Sequence, residues 1–219
     1  MLMTIKTIVL DFDGVIVESE EIKNQAFRDL FSNYPQYVDQ IMSYHLAHKT
    51  TSRYDKFEYI VTHILGETCD EARASDIDSR FSPLIRQRII ECSFVRGAEE
   101  FLEYFSTSLP LYLASATPQE ELESIIKART IDSYFAGVYG NPWQKTDAIR
   151  QILELECVSP DSAVYVGDTR DDYEVAEALG VIFVGRTNQQ TFDDLEIMAY
   201  SDLIEVKACV QKMMGGAAY

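Results

Sequence analysis

Apolar residues form short uninterrupted runs at intervals along the chain. The runs are Ile8 to Leu10, Leu111 to Ala114, Phe135 to Tyr139, Ala163 to Val166 and Val181 to Gly185. Runs of this length predict buried strands, and from Val95 onward they alternate with segments of helical spacing. Such alternation is typical of parallel strands joined by right-handed crossovers. The pattern therefore predicts an α/β fold with a Rossmann-like parallel-sheet core.

Residues between the first run and about Ile90 follow a different pattern, with apolar residues three or four positions apart. This spacing predicts helices from Glu20 to Phe31, Tyr37 to His45, Ser52 to Leu65 and Pro83 to Cys92. Ser52 with Asp55 resembles a capping box, and Gly66 ends the third helix. The sequence thus predicts an all-helical insertion, residues 17–92, in a core formed by residues 1–16 and 93–219.

Two carboxylates follow the first predicted strand, in the segment Asp11-Phe12-Asp13-Gly14. Side chains two residues apart on an extended segment project to the same side, so Asp11 and Asp13 are expected to face a common space. At ~4 Å separation their repulsion is about 4 kcal/mol at an effective dielectric constant of ~20. A cation, a shared proton or open water must compensate this repulsion.

Polar residues also follow the other predicted strands. Ser115 ends the second, Lys145 comes shortly after the third, and the segment from Gly167 to Asp172 follows the fourth. Open α/β sheets place active sites at the carboxyl ends of their strands, so these groups are expected to meet at one edge. The segment Thr117-Pro118-Gln119-Glu120 predicts a helix start with Thr117 as the cap.

Composition excludes several classes of protein. The 219 residues are 47% hydrophobic, enough for a buried core, and carry a formal net charge of -17. This acidity disfavours nucleic-acid binding, which depends on clustered Lys and Arg. No apolar stretch approaches the ~20 residues of a membrane span, and we expect no leader before the first strand. The four scattered cysteines indicate neither a disulfide framework nor a zinc site. The simplest expectation is a cytoplasmic protein.

The four polar segments, taken in order, resemble the four motifs of the haloacid dehalogenase superfamily, and most closely its phosphatase and phosphomutase branch. The first motif is D-F-D-G-V at residues 11–15, and the second is L-A-S-A-T, which contains Ser115. Lys145 is the third and G-D-T-R-D-D at residues 167–172 the fourth. The resemblance covers nearly the whole chain. It implies an enzyme whose helical insertion is a cap that closes over the active site.

The resemblance also implies a role for each motif residue. Asp11 is expected to be the nucleophile, because a carboxylate is ionised at neutral pH and can attack phosphorus to form an aspartyl-phosphate. Asp13 is expected to protonate the leaving group and later to activate water. Ser115, through its hydroxyl, and Ala116, through its amide, are expected to bind phosphoryl oxygens. Lys145 is expected to compensate the negative charge of the nucleophile and of the phosphoryl group.

A magnesium site is the implied cofactor site. Asp168, the Asp11 carboxylate and the Asp13 main-chain carbonyl form an oxygen-rich set suited to Mg²⁺. Asp172 is a further metal candidate, although Thr169 and Asp172 also fit a helix-capping pair, and both can be true. In the polar segment 48–53, Lys49 and Arg53 are the predicted substrate-binding residues, with an ordinary surface loop as the alternative.

The expected function is a Mg²⁺-dependent phosphatase acting on a small phosphorylated metabolite, such as a sugar phosphate or a phosphoglycolate-like ester. Dehalogenases of the family have another residue in place of the second acidic residue of the first motif, Asp13 here, because a leaving halide needs no proton. Mutases of the β-phosphoglucomutase type share the first three motifs, but their fourth usually carries an acidic pair where this chain has Gly167-Asp168. Such a mutase is the first alternative, and a non-catalytic phosphate-binding protein is the second. The sequence leaves the oligomeric state open.

Overall fold

Parallel strands form the centre of the protein. The computed structural model describes residues 4–48, 51–187, 192 and 194–215. Within these residues one six-stranded sheet has the order β3-β2-β1-β4-β5-β6, and each neighbouring pair is parallel. The strands are β1 (Thr7–Leu10), β2 (Leu111–Pro118), β3 (Gly137–Asn141), β4 (Ala163–Gly167), β5 (Ile182–Arg186) and β6 (Met198–Tyr200). The predicted α/β fold is confirmed.

Helices connect the strands and form a separate block before β2. They are α1 (Glu20–Leu30), α2 (Val38–Ala47), α3 (Arg53–Tyr59), α4 (Glu71–Glu91), α5 (Ala98–Ser106), α6 (Gln119–Ala128), α7 (Lys145–Leu155), α8 (Arg170–Leu179) and α9 (Leu203–Met213). A π-helical turn, Ile60–Ile64, continues α3. Among the described residues, no helix has both the length and the apolar composition needed to cross a bilayer.

The chain divides into two compact units, residues 1–18 with 93–219 and residues 19–92. The sheet with α5 to α9 forms the first unit, and α1 to α4 form the second. The assignment of these units as a catalytic core and a cap stays a prediction.

The sheet unit is built around β1, which lies between β2 and β4 in the sheet. Ile8, Val9 and Leu10 are fully buried, since β2 and β4 flank the strand and helices cover the sheet. The sequence patterns missed β6, because this three-residue edge strand is partly exposed and has no buried apolar run. The other edge strand, β3, is also only partly buried, but it overlaps the apolar run Phe135 to Tyr139 and was predicted.

The helical unit has its own aromatic interior. The Phe27 ring packs against Phe57 and Phe81 with ring centroids 5.8 and 4.8 Å apart, and all three side chains are buried. These rings come from α1, α3 and α4, so the unit has a core independent of the sheet. As predicted, Ser52 caps α3, accepting a hydrogen bond from the Asp55 amide.

The fourth predicted helix was wrong at its start. The sequence placed the start at Pro83, yet α4 begins at Glu71 and runs through Pro83. Asp70 caps its first turn by accepting a hydrogen bond from the Arg73 amide. Proline removes one main-chain hydrogen bond from a helix interior. Packing offsets this loss, because the buried residues on one face continue past the proline; they are Ile77, Phe81, Ile85 and Ile89.

Candidate active site

The residues predicted to carry the chemistry converge at the carboxyl ends of β1, β2 and β4. These strands are neighbours in the sheet, so the segments that follow them lie side by side. Lys145 comes from the first residue of α7, after β3. Four segments far apart in sequence thus contribute to one site, because parallel strands all end at the same edge.

Asp11 lies at the centre of this site, directly after β1. The Phe12 amide donates to its Oδ1 at 2.6 Å, and Lys145 Nζ donates to its Oδ2 at 2.6 Å. The pKa of Asp11 is raised to about 6: burial is the largest cause, the charges of Asp172 and Asp13 add to it, and Lys145 opposes it. Hydrogen bonds therefore hold both oxygens of the side chain. Because the buried carboxylate is destabilised when ionised, a further positive charge beside it would be favourable.

Lys145 joins two carboxylates. Its Nζ lies 2.6 Å from Asp11 Oδ2 and 2.6 Å from Asp172 Oδ1, and its side chain is 11% exposed. Burial alone would lower the pKa of Lys145, but the two carboxylates outweigh it and raise the pKa well above its ordinary value. The residue therefore carries a permanent positive charge at the expected nucleophile.

Asp172 is fully buried and surrounded by donors. Its Oδ1 accepts from Lys145 Nζ at 2.6 Å and from the Tyr165 hydroxyl at 2.5 Å. Its Oδ2 accepts from the Thr169 amide at 3.1 Å and the Thr169 hydroxyl at 2.6 Å. Burial favours the neutral acid, yet Lys145 and these hydrogen bonds lower the pKa of Asp172. The predicted capping pair of Thr169 and Asp172 is confirmed as a reciprocal capping box of α8.

A donor set suitable for a divalent cation lies at the same place. Asp11, Asp168 and Asp172 are buried, and one carboxylate oxygen from each lies within 4.8 Å of the others. Carboxylate oxygens are hard ligands of the kind that Mg²⁺ prefers. With Asp13 nearby, the carboxylates outnumber the ammonium of Lys145 in a buried setting. The residues present therefore fit a bound divalent cation, which would offset this excess of negative charge.

Asp13 contacts a residue of the second motif. Its Oδ2 accepts a hydrogen bond from the Thr117 hydroxyl at 3.1 Å. The predicted cap at Thr117 was wrong, since β2 extends through Pro118, which is the residue preceding α6 and makes no side-chain cap. The strand continues because Pro118 pairs with Asn141 of β3 after an irregularity in the ladder. Thr117 thus faces Asp13 instead of the start of the helix.

Ser115 and Ala116 lie in that irregular stretch of β2. Pairing with β3 is regular up to Ala114 and resumes at Pro118, which leaves Ser115, Ala116 and Thr117 between the paired positions. Ser115 is 1% exposed, and its Oγ accepts from the Thr117 amide at 3.2 Å. Because that contact uses an oxygen lone pair, the Ser115 hydroxyl retains its hydrogen for donation to an anion.

The two predicted substrate-binding residues have different outcomes. Lys49 lies outside the described residues. Arg53 is at the start of α3, where its Nε lies 2.8 Å from Asp78 Oδ1 and its Nη2 donates to Ser82 Oγ at 2.9 Å. Its side chain is 9% exposed. Arg53 thus binds two side chains of the helical unit, Asp78 and Ser82. Its role toward a substrate stays a prediction.

Sequence patterns missed two polar residues near the site. Tyr165 lies inside a fully buried strand. A buried phenol needs a hydrogen-bond partner, so a tyrosine in this apolar run could have indicated a polar contact. Arg186 ends β5, is 7% exposed and donates to the Gly14 carbonyl at 3.1 Å. It also forms a two-point ion pair with Glu18 at 2.6 and 3.1 Å. An arginine at the end of a buried run indicated such a partner, but not which one.

Gly167 provides a test of how tightly Asp172 is packed. A Cβ at Gly167 would lie 2.4 Å from Asp172 Cβ and 2.7 Å from its Cγ. Gly167→Ala is therefore expected to destabilise the fold by about 1–3 kcal/mol through overpacking and to displace the Asp172 carboxylate. Thermal denaturation measures the first effect and turnover the second. Gly137→Ala is the control, since it overpacks against the Tyr112 ring and not against Asp172; equal turnover in the two variants would contradict the prediction.

Comparisons with known proteins identify the family of this chain. The family model described as haloacid dehalogenase-like hydrolase matches residues 8–186. Phosphoglycolate phosphatase of Escherichia coli (strain K12) is 28% identical over 101 residues, which span 44% of this chain and 40% of that relative. The chain thus aligns with less than half the length of this relative.

Solved structures share the fold at low identity. Beta-phosphoglucomutase from Clostridium difficile superposes with a TM-score of 0.76 at 15% identity, covering 97% of this chain and 98% of that one. CbbY from Rhodobacter sphaeroides, in complex with phosphate, gives a TM-score of 0.73 at 17% identity, with 93% and 96% covered. These likenesses establish the architecture, and the family model establishes the membership. The chain belongs to the haloacid dehalogenase-like hydrolases.

Proposed function

We propose that this protein is a Mg²⁺-dependent phosphatase that hydrolyses a small phosphomonoester through an aspartyl-phosphate on Asp11. The observation that carries the proposal is the buried Lys145 ammonium, 2.6 Å from both Asp11 and Asp172. It holds positive charge beside a carboxylate that is already fixed at its other oxygen by the Phe12 amide. A fixed nucleophile with a cation beside it suits attack on an anionic phosphoryl group.

In the first half-reaction, an Asp11 oxygen attacks phosphorus and the bond from phosphorus to the ester oxygen breaks. The Ser115 hydroxyl and the Ala116 amide donate to phosphoryl oxygens, while Lys145 offsets their charge. Asp13 donates a proton to the departing alkoxide, which leaves as an alcohol. Thr117, 3.1 Å from Asp13 Oδ2, orients the Asp13 carboxyl group for this transfer.

In the second half-reaction, Asp13 accepts a proton from water as the water oxygen attacks the phosphorus of the aspartyl-phosphate. The bond from phosphorus to Asp11 breaks, and inorganic phosphate forms while the Asp11 carboxylate is regenerated. One residue thus acts as acid and then as base, which requires the same position in both steps. Asp13 is the candidate because it follows Asp11 by two residues at the same end of β1, and the Thr117 hydroxyl donates to its carboxylate.

The metal would be held by the carboxylates of Asp11 and Asp168 and by the main-chain carbonyl of Asp13. When bound, Mg²⁺ supplies Lewis-acid stabilisation of phosphoryl charge. We assign Asp172 to a different role from the metal ligand that the motif suggested. Its two oxygens already accept four hydrogen bonds, about the full capacity of a carboxylate, so it anchors Lys145.

Hydrolysis is favoured over phosphomutase chemistry because a side chain at position 167 would have no room. The mutase motif usually has an acidic residue at this position, but here Asp172 fills the space that such a side chain would enter. The relative from Escherichia coli named phosphoglycolate phosphatase supports a small phosphorylated metabolite as substrate. A sugar phosphate or a phosphoglycolate-like ester is the proposed class, with Lys49 and Arg53 remaining candidates for substrate selection.

A substrate panel tests this function directly. Phosphate release is measured from phosphoglycolate, sugar phosphates and nucleotides, and isomerisation of hexose phosphates is followed in parallel. Turnover of one small ester is expected, with isomerisation undetectable. Isomerisation without phosphate release would establish a mutase instead, and binding of phosphate without either activity would support the non-catalytic alternative.

Removal of metal provides a second prediction. EDTA is expected to lower phosphate release by at least about 100-fold, since a Lewis-acid metal contributes several kcal/mol to phosphoryl transfer. Mg²⁺ added in excess of the chelator should restore it, whereas sodium chloride at the same ionic strength should not. Full activity after exhaustive chelation would contradict the assignment of the acidic cluster as a metal site.

A further inference from the structure

Tyr165 is a buried tyrosine whose hydroxyl faces the active site. It lies in the middle of β4, has no exposed surface and pairs with Val9 on one side and Phe183 on the other. Its hydroxyl donates to Asp172 Oδ1 at 2.5 Å. Burial first, and then the Asp172 charge, raise the pKa of Tyr165 well above its ordinary value, so the phenol remains a donor. A rigid strand thus presents a hydrogen-bond donor to the Asp172 carboxylate.

The Asp172 oxygen that accepts from Tyr165 is the one that holds Lys145. Both Tyr165 and Lys145 donate to Oδ1, at 2.5 and 2.6 Å, while Thr169 occupies Oδ2. The lysine reaches the site on a flexible four-carbon stem, so its ammonium depends on its partners for position. Tyr165, Asp172 and Lys145 therefore form a continuous chain of contacts that ends at Asp11.

We propose that Tyr165 is a positioning residue for phosphoryl transfer: its hydroxyl fixes the Asp172 carboxylate, which holds the Lys145 ammonium against Asp11. This inference rests on the proposed function and extends it to a residue outside the four motifs. Loss of the hydroxyl leaves Asp172 with three donors and allows its Oδ1 to rotate away from the direction that Lys145 requires. The ammonium then stabilises the transition state less well, although the substrate still binds.

The chain contains a matched control for this residue. Tyr112 pairs with Val9 from the opposite side, on β2, and is 2% exposed. Its hydroxyl also donates to a carboxylate, that of Glu156 at the end of α7. Both tyrosines belong to the same buried cluster. They differ in what their carboxylate partner contacts, because only Asp172 binds Lys145.

The test compares Tyr165→Phe with Tyr112→Phe, using the ester that the wild-type protein hydrolyses in the presence of Mg²⁺. Tyr165→Phe is expected to lower kcat about tenfold, the effect of one hydrogen bond to a charged group, with KM nearly unchanged. Tyr112→Phe is expected to leave kcat within about twofold of wild type. Thermal denaturation of both variants shows whether loss of a buried hydrogen bond destabilises them alike. Equal kcat values in the two variants would overturn the inference.

A double substitution distinguishes positioning through Asp172 from a general effect on packing. If Tyr165 acts through Asp172, adding Tyr165→Phe to Asp172→Asn should lower kcat by less than about twofold more. A full tenfold further loss would instead assign Tyr165 a role independent of Asp172 and overturn the inference. Absence of turnover in the wild-type protein would overturn the proposed function and this inference with it, whereas wild-type turnover unaffected by Tyr165→Phe would overturn the inference alone.

Discussion

Asp11→Asn is expected to abolish phosphate release, lowering kcat by at least about 10⁴-fold, the scale of losses when a nucleophile is removed. An amide oxygen is a poor nucleophile, so no aspartyl-phosphate can form. The fold should persist, because asparagine keeps the shape of the side chain and Lys145 retains its contact with Asp172. In the metal-free protein the raised pKa of Asp11 shows that its buried charge is disfavoured, so a neutral amide should not weaken the folded state.

Covalent trapping supplies the direct measurement for Asp11. Wild-type protein mixed with substrate and quenched in acid should carry one phosphoryl group on the peptide that contains Asp11, and Asp11→Asn should carry none. The control is Asp171→Asn, which alters an exposed residue of the fourth motif and should retain activity. A phosphoryl group on another residue, or turnover by Asp11→Asn, would require a different nucleophile.

Lys145→Met is expected to have the largest combined effect on activity and stability. Without the ammonium, Asp11 and Asp172 remain as buried carboxylates with no cation 2.6 Å away. Breaking a buried ion pair by removing one partner typically costs about 3–5 kcal/mol. Turnover should fall at least about 10³-fold, because electrostatic stabilisation of the transferred group is lost as well. Denaturant titration and phosphate release measure the two effects separately.

The double variant Lys145→Met with Asp172→Asn separates the two causes. Removing one of the orphaned charges should recover part of the lost stability without recovering activity, since the partners interact directly. Lys127→Met is the control for loss of a lysine, as that residue is exposed on α6. Stability equal to wild type in Lys145→Met would contradict the buried triad of Asp11, Lys145 and Asp172.

Much of the fold was readable from local patterns. Each predicted strand has a counterpart in the sheet. The fully buried strands β1 and β4 are apolar on both faces and need little context to be recognised, whereas the edge strand β3 was recognised from its apolar run alone. The wrong predictions concern elements whose formation depends on tertiary packing or pairing. Pro83 considered alone indicates a helix start. However, α4 continues through it, because residues of the helix before and after the proline are buried. The short strand β6 exists through its pairing with β5, and three residues contain no pattern of their own.

By itself the sequence determined which chemical groups this protein has and that they follow strands meeting at one sheet edge. Tertiary structure alone decided the partners: Thr117 meets Asp13 across 104 positions of sequence, and Lys145 meets Asp11 across 134. It also decided that Tyr165 and Thr169 occupy the Asp172 oxygens, leaving that residue to hold Lys145. The physical reason is that strand formation depends on local burial and hydrogen bonding, whereas hydrogen bonds between side chains depend on distances that only the folded sheet sets.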